Sequence, residues 1–167
     1  MSDTKDLLVT THLFKDVEAA EKAYEEALSK GYTPKDINVI MSEDSRKKYY
    51  GSVLVKEESK ATEGLGIGSV TGAAIGGLVA AIAAIGTSLV LPGLGIIIAG
   101  PLAAGLAGAG AGGLTGGLVG ALIGWGIPED KAHVYETGIK SGGIVLGVNE
   151  TNPAVSLDTD WKKYSQL

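Results

Sequence analysis

The chain has 167 residues, with 14 Lys and Arg against 19 Asp and Glu, a net charge of −5 and no cysteine. The acidic balance, with no basic stripe, argues against nucleic acid as a partner. The lack of thiols leaves no disulfide, redox motif or thiolate metal site, and the length allows one or two domains.

The amino-terminal stretch MSDTKDLLVTTHLF has no basic segment followed by an apolar one, so no signal peptide is expected. Leu7 to Phe14 is rich in β-formers and is predicted to be a strand. Asp16 is a good helix N-cap, and Val17, Ala20, Tyr24, Ala27 and Leu28 form one apolar face of a helix through Lys30, stopped by Gly31. Thr33 to Asp36 reads as a turn, and Ile37 to Met41 as a second strand. The crossover between these strands is long enough for them to run parallel. Glu43 to Tyr50 reads as a short helix, and Ser52 to Lys56 as a short edge strand or a solvated linker.

From Gly64 to Pro128 there is no charged residue. Within this stretch small residues recur at every fourth position, which falls on one face of an α-helix. The first ladder is Gly64, Gly68, Gly72, Gly76, Ala80, Ala84 and Ser88; the second is Gly100, Ala104, Gly108, Gly112, Gly116, Gly120 and Gly124. A bare face lets two helix backbones approach closely, as in lipid. Each ladder spans about 25 residues, roughly 37 Å as a helix, enough to cross a hydrocarbon core of roughly 30 Å. Leu91-Pro92-Gly93-Leu94-Gly95 separates the two, and Pro101 suits the first turn of the second helix. The expectation is therefore an antiparallel helical hairpin that needs lipid, or a soluble assembly in which copies bury one another. A Gly in a water-exposed helix costs about 1 kcal/mol, so a lone hairpin in water is not viable.

Pro128 opens another helix, PEDKAHVYETGIKS, with Glu129 and Asp130 in its first turn and Ala132, Tyr135 and Ile139 facing inward. Gly142-Gly143 ends it, and Ile144 to Val148 is a strand. After Asn149 the chain is polar, and a loose terminus is expected; the alternative is docking through Trp161 and Tyr164. The elements add up to an α+β fold, a split ferredoxin-like sandwich. Residues 1–60 and 128–149 are its halves, 61–127 the inserted glycine-zipper hairpin, and 150–167 a tail. Halves that must pair need both ends of the insert on one side of a membrane. Because the first apolar span begins only after some sixty residues with no signal peptide before it, that side, with the α+β domain and both termini, is expected to be the cytoplasm.

The runs GYTPKDINVIMS, LPGLG, AGPLAAGLAGAGAGG and GIPEDKAHVYETGIKSGGIVLGV resemble the bacterial general stress protein 17M-like, or heat-induced stress protein, family. The resemblance covers roughly residues 6 to 149, and its most specific parts are Gly126 to Asp130 and Tyr135, Gly138 and Gly142-Gly143. It implies a prokaryotic, stress-linked protein with no established catalytic residues.

Chemistry-bearing patterns are sparse. Gly108 to Gly113 matches GxGxxG, but no strand precedes it, so helix packing is the better reading than a nucleotide site. Glu129, His133 and Glu136 share a helix face that suits solvent better than a metal. Ser, Thr and Tyr occur without an evident His–Asp partner set, which leaves nucleophilic catalysis unsupported. No cofactor is expected. Arg46, Lys47, Lys48, Tyr49 and Tyr50, together with Trp125, are candidates for a lipid headgroup surface. The expected function is that of a non-enzymatic, membrane-inserted or membrane-associated stress protein that self-associates. The alternative is a soluble homo-oligomeric shell enclosing a lipid-like or quinone-like molecule.

Overall fold

The computed structural model describes residues 8–48, 78, 88–91, 94–103, 117–150 and 156–165. Strand β1 (Leu8–Phe14) leads to helix α1 (Val17–Ser29), where the Asp16 carboxylate accepts the Ala19 N–H at 2.9 Å and so caps the first turn. Strand β2 (Ile37–Ser42) follows, and residues 43–48 are helical. Strands β3 (Ser88–Leu91) and β4 (Ile96–Ala99) come next, then helices α2 (Gly117–Gly124) and α3 (Glu129–Lys140). Strand β5 (Ile144–Glu150) and the single helical turn α4 (Asp158–Trp161) complete the order.

The fold is α+β. One five-stranded sheet has the order β1-β5-β2-β4-β3, and every neighbouring pair is antiparallel. Strand β5 lies between β1 and β2, setting Ile144 opposite Phe14 on one side and Met41 on the other. Strands β1 and β2 are therefore parallel to each other with a third strand between them, and α1 crosses over that strand. Strands β4 and β5 flank β2 in the same way.

Side chains alternate across the sheet, so it has two packed faces. Phe14, Val39, Met41, Leu146 and Val148 point toward α1, where Ala20, Ala23, Tyr24 and Ala27 meet them, together with Trp161 and Leu78. Leu13, Ile40, Ile96, Ile98 and Val145 point the other way, toward Leu118 and Leu122 of α2 and Ala132, Tyr135 and Ile139 of α3. Leu28, expected on the buried face of α1, is instead exposed, and Glu21 is buried.

Most of the expected pair of long rods, residues 64–77, 79–87 and 104–116, lies outside the described residues, and the described ones at 88–91, 94–100 and 117 depart from it. Ser88 and Leu89, expected at the end of the first rod, lie in β3, which pairs antiparallel with β4 and sets Leu91 opposite Ile96. Short runs of Leu, Val and Ile satisfy a strand as readily as a helix, and here the open side of β4 beside β2 claims them. Gly100 is not helical. Its φ is 105°, and it sits against the backbone of Ile37 and Asn38, where a Cβ would not fit. Pro101 does open a helical turn, residues 101–103, whose Leu102 N–H donates to the buried Asn38 Oδ1 at 2.6 Å. Gly117 has φ 63°, so no right-handed helix runs unbroken from residue 100 to 124. The described residues of the uncharged stretch pack on both faces of the sheet: Leu78 on the α1 face, and Leu102, Ala103, Leu118 and Leu122 on the α3 face. Among the described residues no helix is long and apolar enough to cross a membrane.

Gly147 lies in β5 directly beneath the Trp125 ring, with the Thr11 methyl close on the other side. Gly147→Ala forces a Cβ into that ring and is expected to lower stability by about 1–3 kcal/mol, an overpacking cost read by chemical denaturation. A neutral result would mean that Trp125 is not seated on β5.

Candidate functional site

The densest cluster of polar and titratable side chains gathers where the carboxy-terminal strap, residues 156–165, crosses β1 and α1. Trp161 is its anchor. The residue is fully buried, its Nε1–H donates to the Ala23 carbonyl at 2.9 Å, and its ring meets Phe14 and His12 edge-on. The strap is thus ordered and docked, which corrects the expectation of a loose tail. Its sequence carried a signal for this: Asp158 and Asp160 precede Trp161, and Lys162 and Lys163 follow it, the charge order that suits a short helix.

His12, on β1 and 2 % exposed, fastens the strap at both ring nitrogens. Its Nε2 lies 3.0 Å from Asp158 Oδ1 and its Nδ1 3.1 Å from Ser165 Oγ. One neutral tautomer serves both bonds, with Nε2–H donating to Asp158 and the Ser165 hydroxyl donating to Nδ1. The fold therefore assembles a Ser–His–Asp set that the sequence did not reveal, because its members stand at positions 12, 158 and 165. The order of groups is that of an activated hydroxyl. However, the Ser165 N–H is spent on the Trp161 carbonyl at 2.9 Å and is not free to stabilise an oxyanion. What the three residues do here is hold the strap.

Around them charges are matched. Asp158 also pairs with Lys162 at 2.6 Å, and Asp160 pairs with Lys30 and with Lys163. The hydrogen bond from Lys162, aided by the one from His12, keeps the Asp158 carboxyl below the usual range. Lys30 and then Lys163 do the same for Asp160. At the start of the strap, the buried Glu150 carboxylate accepts from the Thr10 hydroxyl at 2.7 Å and the Leu157 N–H at 2.9 Å. On the sheet's other face, the edge carbonyl of Thr11 takes bonds from Lys131 Nζ at 3.1 Å and the Tyr135 hydroxyl at 2.7 Å. These close the β1 edge against further pairing. Burial pushes the Tyr135 hydroxyl up to about 12 and lowers the Lys131 ammonium.

The residues singled out by sequence fall elsewhere. Gly120 and Gly124 lie on the outer side of α2, where an added Cβ would meet nothing within 4 Å, and Ile123 beside them is exposed. Gly100 is in the turn already described. Gly64, Gly68, Gly72, Gly76, Ala80, Ala84, Ala104, Gly108, Gly112 and Gly116 lie outside the described residues. Arg46, Lys47 and Lys48 are on helical residues 43–48, with Lys47 paired to Glu43 at 3.1 Å; Tyr49 and Tyr50 lie outside the described residues. Trp125 is half-buried on Gly147. Glu129 and His133 stand 3.8 Å apart on an exposed helix face, and Glu136 pairs with Lys140. Among the described residues no group of His, Asp and Glu is placed to hold a metal ion.

No family model, curated protein or solved structure matches the chain.

Two outcomes follow for the strap. Trp161→Ala should destabilise the protein by about 3–5 kcal/mol, as removal of a fully buried aromatic does, measured by thermal or urea unfolding. The pH dependence follows from the depressed carboxyls of Asp158 and Asp160. A carboxyl whose folded value is depressed adds stability that is present above the unfolded value of about 3.9 and lost as pH falls through the folded one. The strap should stay docked from neutral pH down to about 4 and loosen below it, a change visible in tryptophan fluorescence. Loosening on the alkaline side instead would contradict this assignment.

Proposed function

We propose that the protein is a non-enzymatic, stress-linked protein that works by association, pressing its uncharged stretch against a bilayer and against its own copies. The observation that carries this reading is the absence of any charge from Gly64 to Pro128 in a chain otherwise rich in charge. The stretch is tied to the sheet at Leu78, at β3 and β4, at Leu102 and at α2, so the α+β domain acts as its carrier. We read that domain as a sandwich of two interleaved β-α-β units, related to the ferredoxin-like plan but with β1 at the edge of the sheet in place of its centre. The resemblance of the runs GYTPKDINVIMS and GIPEDKAHVYETGIKSGGIVLGV to the heat-induced stress protein family supports the link to stress, and the N-terminal sequence supports a domain on the cytoplasmic side of the membrane.

A second reading, a soluble homo-oligomer, draws support from the outward row of Gly120, Ile123 and Gly124 on α2. Such a face suits close approach of another helix, and an assembly built on it could enclose an apolar molecule.

Centrifugal fractionation with and without detergent, followed by mass determination, separates the two. Sedimentation with membranes and release by detergent supports the first reading, and a detergent-free oligomer the second. A detergent-free, monodisperse monomer removes both. Substituting Gly120→Leu and Gly124→Leu, at positions where an added Cβ meets nothing within 4 Å, should abolish assembly while leaving the fold intact by circular dichroism. Unchanged assembly would take α2 out of the association surface.

A further inference from the structure

Lys131 differs from other described lysines in where its amine lies. Lys22, Lys30, Lys47, Lys140, Lys162 and Lys163 each reach an Asp or Glu carboxylate in an ion pair. Lys131 forms no such pair among the described residues. It is half-buried at the β1 edge, where Nζ donates to the Thr11 carbonyl at 3.1 Å and lies 5.4 Å from the centre of the Tyr135 ring. The Tyr135 hydroxyl donates to the same carbonyl at 2.7 Å, so the amine shares a neutral acceptor. Lys131 also stands in the first turn of α3, where the helix N–H groups carry positive partial charge and disfavour a cation. Burial lowers the Lys131 ammonium below its ordinary range; Asp158 draws it back up, Lys162 of the strap pushes it down, and Asp130 on the same helix draws it up.

An amine attacks an electrophile in its neutral form, and a half-buried lysine without a carboxylate partner is the one most readily found neutral. Lys162, near enough for its charge to act on Lys131, favours an anionic donor. We propose that Lys131 is a modification site, the amine of this chain that takes up acyl groups from acyl phosphates. The nitrogen lone pair attacks the acyl carbon, the bond from that carbon to the phosphate oxygen breaks, and phosphate leaves with the electron pair. The nitrogen gives up one proton to solvent, and the products are an amide and inorganic phosphate. The amide is uncharged and keeps one N–H, so modification removes a cation from the β1 edge.

Acetyl phosphate, added to the full chain with the rate at each lysine read by peptide mass spectrometry, tests the site. In the folded protein Lys131 should be acetylated at least about threefold faster than the exposed Lys22, Lys35 and Lys140, and in urea the difference should vanish. Its rate should level off at a lower pH than theirs. Lys162→Ala removes a like charge and frees Asp158 to hold Lys131 protonated, so it should slow Lys131 by about twofold with the fold intact by circular dichroism. If that variant unfolds, the urea comparison and the pH profile of the native chain decide. Acetylation of Lys131 no faster than that of the exposed lysines, a lead that persists in urea, or a pH profile that coincides with theirs overturns the proposal. An unchanged rate in a folded Lys162→Ala variant does the same.

Discussion

The structure depends on one pairing: β5, written near the end of the chain, lies between β1 and β2, written near its beginning. Until β5 arrives, β1 and β2 have no neighbour in common, and neither face of the sheet exists. Every covering element is fixed by that insertion. Helix α1 must cross over the gap that β5 fills, and α3, which leads directly into β5, is left on the opposite face. The long segment between β2 and α3 must then leave the sheet and come back to it. It does so by adding β4 and β3 to the side of β2 that β5 leaves open. Such non-local pairing favours slow folding, with apolar sequence exposed until the sheet closes.

That constraint explains what could be read from sequence and what could not. Strands β1, β2 and β5 and helices α1 and α3 were legible because each carries a local signal. These are β-branched runs, the Asp16 cap, the apolar face of Ala132, Tyr135 and Ile139, and glycines just past the helix ends. The uncharged stretch misled for a physical reason. Its Gly and Ala recur at helical spacing, and that pattern hides two four-residue strands whose composition, SLVL and IIIA, fits either structure. The tertiary environment, an open antiparallel edge, decides between them. Asn38 was equally silent. It reads as one polar residue in a strand, yet its side chain holds the turn after β4, through Leu102, and reaches the Gly147 carbonyl.

The strap shows the same limit from the other direction. From sequence it reads as a loose tail, although Trp161 and the charges around it carry a signal for docking, and its place carries no local signal at all. No local rule says that His12 will receive both Asp158 and Ser165, or that Glu150 will cap the Leu157 N–H. These bonds are long-range, and each satisfies a polar group that the core would otherwise strand. The strap thereby covers the β1 side of the α1 face, and Leu78 packs into the same core. One helix, α1, lies under both.

The central claim is that residues 88–91 and 96–99 of the uncharged stretch join the sheet as an antiparallel pair beside β2 instead of forming helix. Nuclear Overhauser contacts across residues 88–99 test it most directly. The account predicts cross-strand contacts between Leu89 and Ile98, between Leu91 and Ile96, and between Ile40 and Ile98. An unbroken series of helical contacts three and four residues apart through Ser88 to Leu91, with no contact from Ile98 to β2, would contradict it.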